Sequence, residues 1–186
     1  MRRIISLISL SLLCLSLSAC LTNSVREFTA QQVHIPNNES VIVLALKNVP
    51  ATLDAKTPFA VTLNEYDLTQ KKITGNCWHN NQVSAVVDAG SDQTRFFAFR
   101  VPPGFYIFSG FNVRRLNASA NTFEAPAGKL VYLGTFQVDG KSHVSLTEEL
   151  ASTREFVKTQ WPQLESELNL ATRLQAPAGP MFLCSP

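Results

Sequence analysis

Residues 95–113 read RFFAFRVPPGFYIFSGFNV, and this stretch decides the fold class. Phe97, Phe99 and Val101 recur at every second residue, the period at which a β-strand puts side chains on one face. Pro102-Pro103-Gly104 then forces a turn: proline presets φ, and glycine supplies a conformation that other residues avoid. From Phe105 the alternation resumes, with Phe105, Ile107, Ser109, Phe111 and Val113 against Tyr106, Phe108, Gly110 and Asn112. Both faces are apolar at its start, which predicts a strand in the middle of a sheet.

The same rhythm extends in both directions. Val41 to Leu46 is a short continuous apolar run, the pattern of a buried strand. Phe59 to Tyr66 alternates, and Ile73 to Trp78 and Val83 to Val87 are shorter candidates joined through a hairpin turn at His79-Asn80-Asn81. Gly90-Ser91-Asp92 and Ala125-Pro126-Ala127-Gly128 are turns, and Lys129 to Val138 is a strand. Asp139-Gly140 is a strong hairpin signal, returning through Ser142 to Leu146. Short strands at regular spacing predict a mainly β chain, an antiparallel β-sandwich over residues 40–146.

The texture changes at Ser145. Ser145 and Glu148 have the spacing of a capping box. Leu150, Val157, Trp161, Leu164, Leu168 and Ala171 then recur at helical spacing as one apolar stripe. Pro162 interrupts it by pushing Trp161 out of helical φ/ψ. The reading is a C-terminal kinked helix or helical pair, with Pro162 in the first turn of the second piece. Residues 147–186 thus form a helical segment and tail packed on the sandwich, coil from Ala176 onward.

The N-terminus is of another kind. Arg2 and Arg3 precede an apolar run from Ile4 to Ser18, too short and serine-rich for a membrane span of roughly 20 residues. Leu17-Ser18-Ala19-Cys20 closes it. This resembles a bacterial lipoprotein signal, with cleavage between Ala19 and Cys20, removal of residues 1–19 and lipidation of Cys20. Several acyl chains, at about 0.8 kcal/mol per buried CH₂, would hold far more firmly than one myristoyl group. Leu21 stands where an aspartate would signal inner-membrane retention in enteric-type bacteria, so the expected location is the periplasmic face of the outer membrane. Residues 20–39, polar and proline-containing, read as a tether that would wander about 25 Å from the anchor.

The formal charge of +2 includes Arg2 and Arg3, so the mature chain carries 14 basic and 14 acidic residues. No basic cluster exceeds Lys71-Lys72 and Arg114-Arg115, which argues against nucleic acid as a partner. Cys14 leaves with the leader and Cys20 is spent on lipid. Cys77 and Cys184 remain as an even pair in an oxidising compartment, and a disulfide between them is expected; two free thiols are the alternative.

Val101-Pro102-Pro103-Gly104-Phe105-Tyr106 resembles the hydrophobic-Pro-Gly-x-Tyr turn of small prealbumin-like or carboxypeptidase-regulatory-like sandwich domains. Ala127-Gly128-Lys129-Leu130-Val131-Tyr132-Leu133-Gly134 resembles an Ala-Gly-x-x-x-Tyr-x-Gly segment of uncharacterised bacterial lipoproteins of that kind, in which a Trp/Tyr-Pro step such as Trp161-Pro162 often follows. The resemblance implies a prealbumin-like sandwich and an envelope location. It carries no active site.

Nucleophile elbows, phosphate-binding glycine loops and zinc-ribbon spacings are absent from the sequence. Cys77-Trp78-His79 offers sulfur and nitrogen ligands, but a structural metal site wants four, so no metal or cofactor is expected. His34 falls in the tether and His143 in a hairpin. Glu148, Glu149, Glu155, Glu165 and Glu167 read as the solvated face of the helix. Arg114 and Arg115, adjacent on a strand, would point oppositely. The aromatics of 95–113 read as core in preference to a lipid or peptide groove. The resulting expectation is a non-enzymatic binding, scaffold or accessory lipoprotein with an envelope protein partner. A secretion- or transport-system component and an envelope hydrolase are the alternatives.

Overall fold

The computed structural model describes residues 22–47, 58–76, 78–88, 93–139 and 143–180. In chain order the strands are β1 (Arg26–Glu27), β2 (Ser40–Lys47), β3 (Phe59–Asp67), β4 (Lys72–Ile73), β5 (Gln82–Val87), β6 (Arg95–Val101), β7 (Gly104–Phe108), β8 (Arg115–Asn117), β9 (Thr122–Ala125), β10 (Leu130–Asp139) and β11 (His143–Thr147). Helix α1 (Leu150–Gln160), a 3₁₀ segment (Pro162–Glu167), β12 (Leu168–Leu170) and β13 (Arg173–Leu174) complete the chain.

Two sheets result. The first runs β1-β6-β2-β10-β11-β8, with β12 also on β10; the second runs β13-β9-β7-β3, with β4 and β5 both on the free side of β3. Their inner faces meet in one core, where Ile42, Leu44 and Phe136 from the first sheet join Val61, Leu63 and Phe123 from the second. This is the mainly β sandwich that the alternation at 95–101 predicts. Phe97 and Phe99 do face the core side by side, and β7 is central, between β3 and β9. Pro102-Pro103 carries the chain from one sheet to the other, and the buried Tyr106 hydroxyl locks the corner by donating to the Pro102 carbonyl at 2.9 Å. Burial, then the carboxylate of neighbouring Glu65, pushes the Tyr106 phenol far above its ordinary range.

Antiparallel pairing dominates, yet β2 with β10, β10 with β12, and β8 with β11 are parallel. Helix α1 and the 3₁₀ segment explain why β2 is apolar from Val41 to Leu46. Val41 and Val43 face Val157, Trp161, Leu164 and Leu168 on the outer side, so β2 is covered on both faces. Gly134, at φ 134°, sits at the β10 bulge where its partner changes from β12 to β11; a Cβ there would lie 2.5 Å from Leu146 Cδ1.

Other expectations need correction. β4 and β5 form no hairpin; both pair with the same side of β3, and the described residues between them, 74–76 and 78–81, form an excursion from its edge. The strand from Phe105 stops at Phe108, because Asn112 folds back to bond the backbone of Thr62 from both ends of its amide. Ser145 lies within β11 and caps nothing; Glu149 is the N-cap of α1. The helical stripe is buried as expected, but by three kinds of structure. Trp161 ends α1, its amide bonding the Val157 carbonyl at 2.7 Å, and Pro162 opens the 3₁₀ segment. Leu164 comes three residues later on the same side, Leu168 begins β12, and Ala171 reaches the inner core.

The largest difference concerns the expected tether. Over 22–39 the chain is part of the body: β1 pairs with β6, and Val25, Phe28 and Ile35 are buried. It crosses from the edge of the second sheet at β5 to the edge of the first at β6, closing that side of the sandwich. The C-terminal tail straps the outer face of the second sheet. Ala176 packs on Tyr66, Ile73 and Ile107, and the Tyr66 hydroxyl donates to the Pro177 carbonyl.

Candidate functional site

Two surfaces have the chemistry of a contact site. The first is where the chain joins the body, built from turn-forming side chains. Asn76 Oδ1 accepts the amides of Trp78 and His79, and the Asn76 amide donates to the His79 carbonyl, so Asn76, Trp78 and His79 are drawn together as a tight turn. Thr22 lies along this turn. Its amide and hydroxyl both donate to the Trp78 carbonyl, at 2.7 and 2.8 Å, and its carbonyl accepts the Asn80 amide. The hydroxyl also lies 3.0 Å from His79 Nδ1. Asn23 continues the seam: Nδ2 donates to the Gln82 carbonyl and Oδ1 accepts the Gln82 and Val25 amides. Asn81 accepts the Ser24 amide and donates to Glu65 Oε2 at 2.7 Å. Asparagine side chains thus replace a β-ladder. The turn leaves the Trp78 side chain 62% exposed.

The second surface is a groove of about 390 Å³ between 27–31, β6 and α1. Four aromatic rings build it. Phe96 stacks on Phe156 at 4.7 Å, Phe156 meets Trp161 edge-on at 5.7 Å, and Trp161 contacts Phe28 at 5.1 Å. Trp161 Nε1 donates to the Thr29 carbonyl at 2.8 Å, which pins the N-terminal segment to the helix. The aromatics of 95–101 therefore divide: Phe97 and Phe99 pack against the core, while Phe96 faces the groove. Tertiary structure alone joins Phe28 and Phe156 to it.

Of the residues singled out from the sequence, Ala19, Cys20, Cys77 and Cys184 lie outside the described residues. Five or six residues from each of the cysteines Cys77 and Cys184, Gly179 packs so closely on Lys71 and Lys72 that a Cβ would meet the Lys71 carbonyl oxygen at 2.3 Å. His34 is exposed on the docked N-terminal segment, His79 is half-buried against Thr22, and His143 pairs with Asp139 across the β10–β11 hairpin. Among the described residues no cluster of three His, Cys, Asp or Glu is placed to hold a metal.

The five glutamates do not share one helical face. Glu148 is bonded to Arg173 at 2.6 Å, Glu149 lies 4.0 Å from Lys47, Glu155 is on α1, and Glu165 and Glu167 are in the 3₁₀ segment. Arg114 and Arg115 are brought together, contrary to the strand argument. Arg114 sits in the turn before β8, so alternation does not apply, and both arginines line an open cavity of about 220 Å³ of mixed polarity, with Asn112 and Asn121 beside Phe108 and Leu116. Arg114 also lies over the Phe59 ring at 5.6 Å.

No family model, curated protein or solved structure matches this chain.

Proposed function

We propose that the protein is a lipid-anchored lipoprotein of the bacterial envelope, held at the periplasmic face of the outer membrane through Cys20, with a non-enzymatic binding role. The observation that carries this reading is the position of Leu17-Ser18-Ala19-Cys20, whose cysteine stands two residues before Thr22, which is already bonded into the body. A leader of this form ends where the domain begins. The groove supports a binding role, because it presents the half-buried Phe96 and Phe156, seated on the buried Phe28 and Trp161, beside the exposed residues 29–31 to an envelope protein segment. A disulfide between Cys77 and Cys184 would staple the C-terminal tail beside the anchoring turn, and the contact of Gly179 with Lys71 and Lys72 supports it.

The test is affinity capture from detergent-solubilised envelopes, with photo-crosslinkers at Ala30 and Gln160 in the groove and at Lys129 as a control. The expected result is an acylated protein that crosslinks one envelope protein from the groove positions and not from Lys129, with loss of the complex for Cys20→Ala. Protein without acyl groups, or acylated protein that captures nothing while hydrolysing an envelope substrate, would overturn the proposal.

A further inference from the structure

We infer that the turn at Trp78 and His79 is a second membrane contact, with Trp78 inserted at the headgroup level of the bilayer that holds the lipid on Cys20; this rests on the anchoring proposed above. Cys20 stands two residues from Thr22, a reach of at most about 7 Å. Thr22 in turn is bonded twice to the Trp78 carbonyl. The turn is therefore held against the membrane surface, and the interfacial layer on each side of the hydrocarbon is itself about 5 to 8 Å thick.

The turn has the chemistry for that layer. Trp78 is 62% exposed, although a ring of this size would normally be covered in a soluble domain. Tryptophan is the side chain that prefers the membrane–water interface, with its apolar body among the acyl ends and its N–H wet. The same edge of the second sheet carries Lys71, Lys72 and His79, which suit a surface of phosphate headgroups, while its carboxylates are engaged, Glu65 with the Asn81 side chain and Asp67 with the amides of Thr69 and Gln70. The anchor and Trp78 together would strengthen the attachment and narrow the range of tilt open to the domain.

The chain has two tryptophans, and Trp161 is 3% exposed, so Trp78 is the one whose emission reports solvent. Acylated protein is reconstituted into phosphatidylethanolamine/phosphatidylglycerol vesicles with and without lipids brominated near the headgroup. Wild type and Trp78→Phe are compared; the substitution leaves the Thr22 bonds in place, since they go to the backbone carbonyl. The expected result is a blue shift of wild-type emission on reconstitution and its loss with brominated lipid, both absent from Trp78→Phe. Protein that floats with the vesicles while Trp78 stays red and unquenched overturns this inference alone. Protein whose intact mass shows no acyl groups on Cys20 overturns the anchoring and this inference together.

Discussion

Replacing Phe28 by alanine separates a docked N-terminal segment from a loose one. Phe28 is 2% exposed, its ring centroid is 5.1 Å from that of Trp161, and it belongs to the cluster that includes Ile35, Val43, Ala98 and Val157. Truncating a buried phenylalanine removes its transfer free energy and leaves a cavity, at a cost of about 3 to 5 kcal/mol. For a domain of this size each kcal/mol moves the melting temperature by about 2 to 4 °C, so the expected fall is about 6 to 20 °C. The loss is large against a total stability of about 5 to 15 kcal/mol. Urea unfolding followed by far-UV circular dichroism measures it, and Trp161 emission reports the same site locally. Glu27→Ala is the control, since the Glu27 side chain is exposed and its substitution should change stability by no more than about 0.5 kcal/mol. A Phe28→Ala loss below about 1 kcal/mol would refute the docking of residues 22–39 and restore a free tether.

Gly134→Ala should cost about 1 to 3 kcal/mol from the backbone conformation alone, with the contact to Leu146 in addition, and an unchanged urea midpoint would contradict the bulge geometry. Tyr106 should make the protein sensitive to alkali. Its phenol titrates higher when folded than the ordinary 10.0, so the folded state holds the proton longer and stability falls as pH rises above that value. Tyr106→Phe should flatten that fall while costing about 0.5 to 1.5 kcal/mol at neutral pH for the lost bond to Pro102; a slope identical to wild type would show that Tyr106 does not contribute. Alkylation before reduction should leave Cys77 and Cys184 unmodified in intact mass, and two alkylated cysteines would end the disulfide proposal.

The groove is half legible in the amino-acid order. The alternation of Phe97, Phe99 and Val101 sends those residues inward and so puts Phe96 on the outer face of β6. That Phe156 stacks on it, and that Phe28 reaches Trp161, depends on a helix and a segment more than 50 residues away in the chain, which local pattern does not encode. The Arg114–Arg115 pair shows the opposite failure: the rule of alternation holds for strands, but Arg114 lies in a turn. The N-terminal segment reads as a tether because it is held by Asn23 and Asn81 amides, with Val25, Phe28 and Ile35 scattered among polar residues. Asparagine in a polar stretch reads as loop, and only its partner shows that it substitutes for a backbone ladder.

Period and punctuation are written in the order of residues alone. They specify strands of alternating residues, a proline-ended helix and an unbroken apolar run from Val41 to Leu46. These are local properties, set by side-chain direction and backbone restriction within a few residues. The three parallel pairings, the excursion that exposes Trp78 and the attachment of 22–39 to the body arise only once the chain is folded. Each of these pairs residues far apart in the chain, where hydrogen-bond geometry and packing of one sheet edge against another choose the partner. The most consequential is at Thr22, whose bonds to Trp78 make an apparent tether part of the folded body.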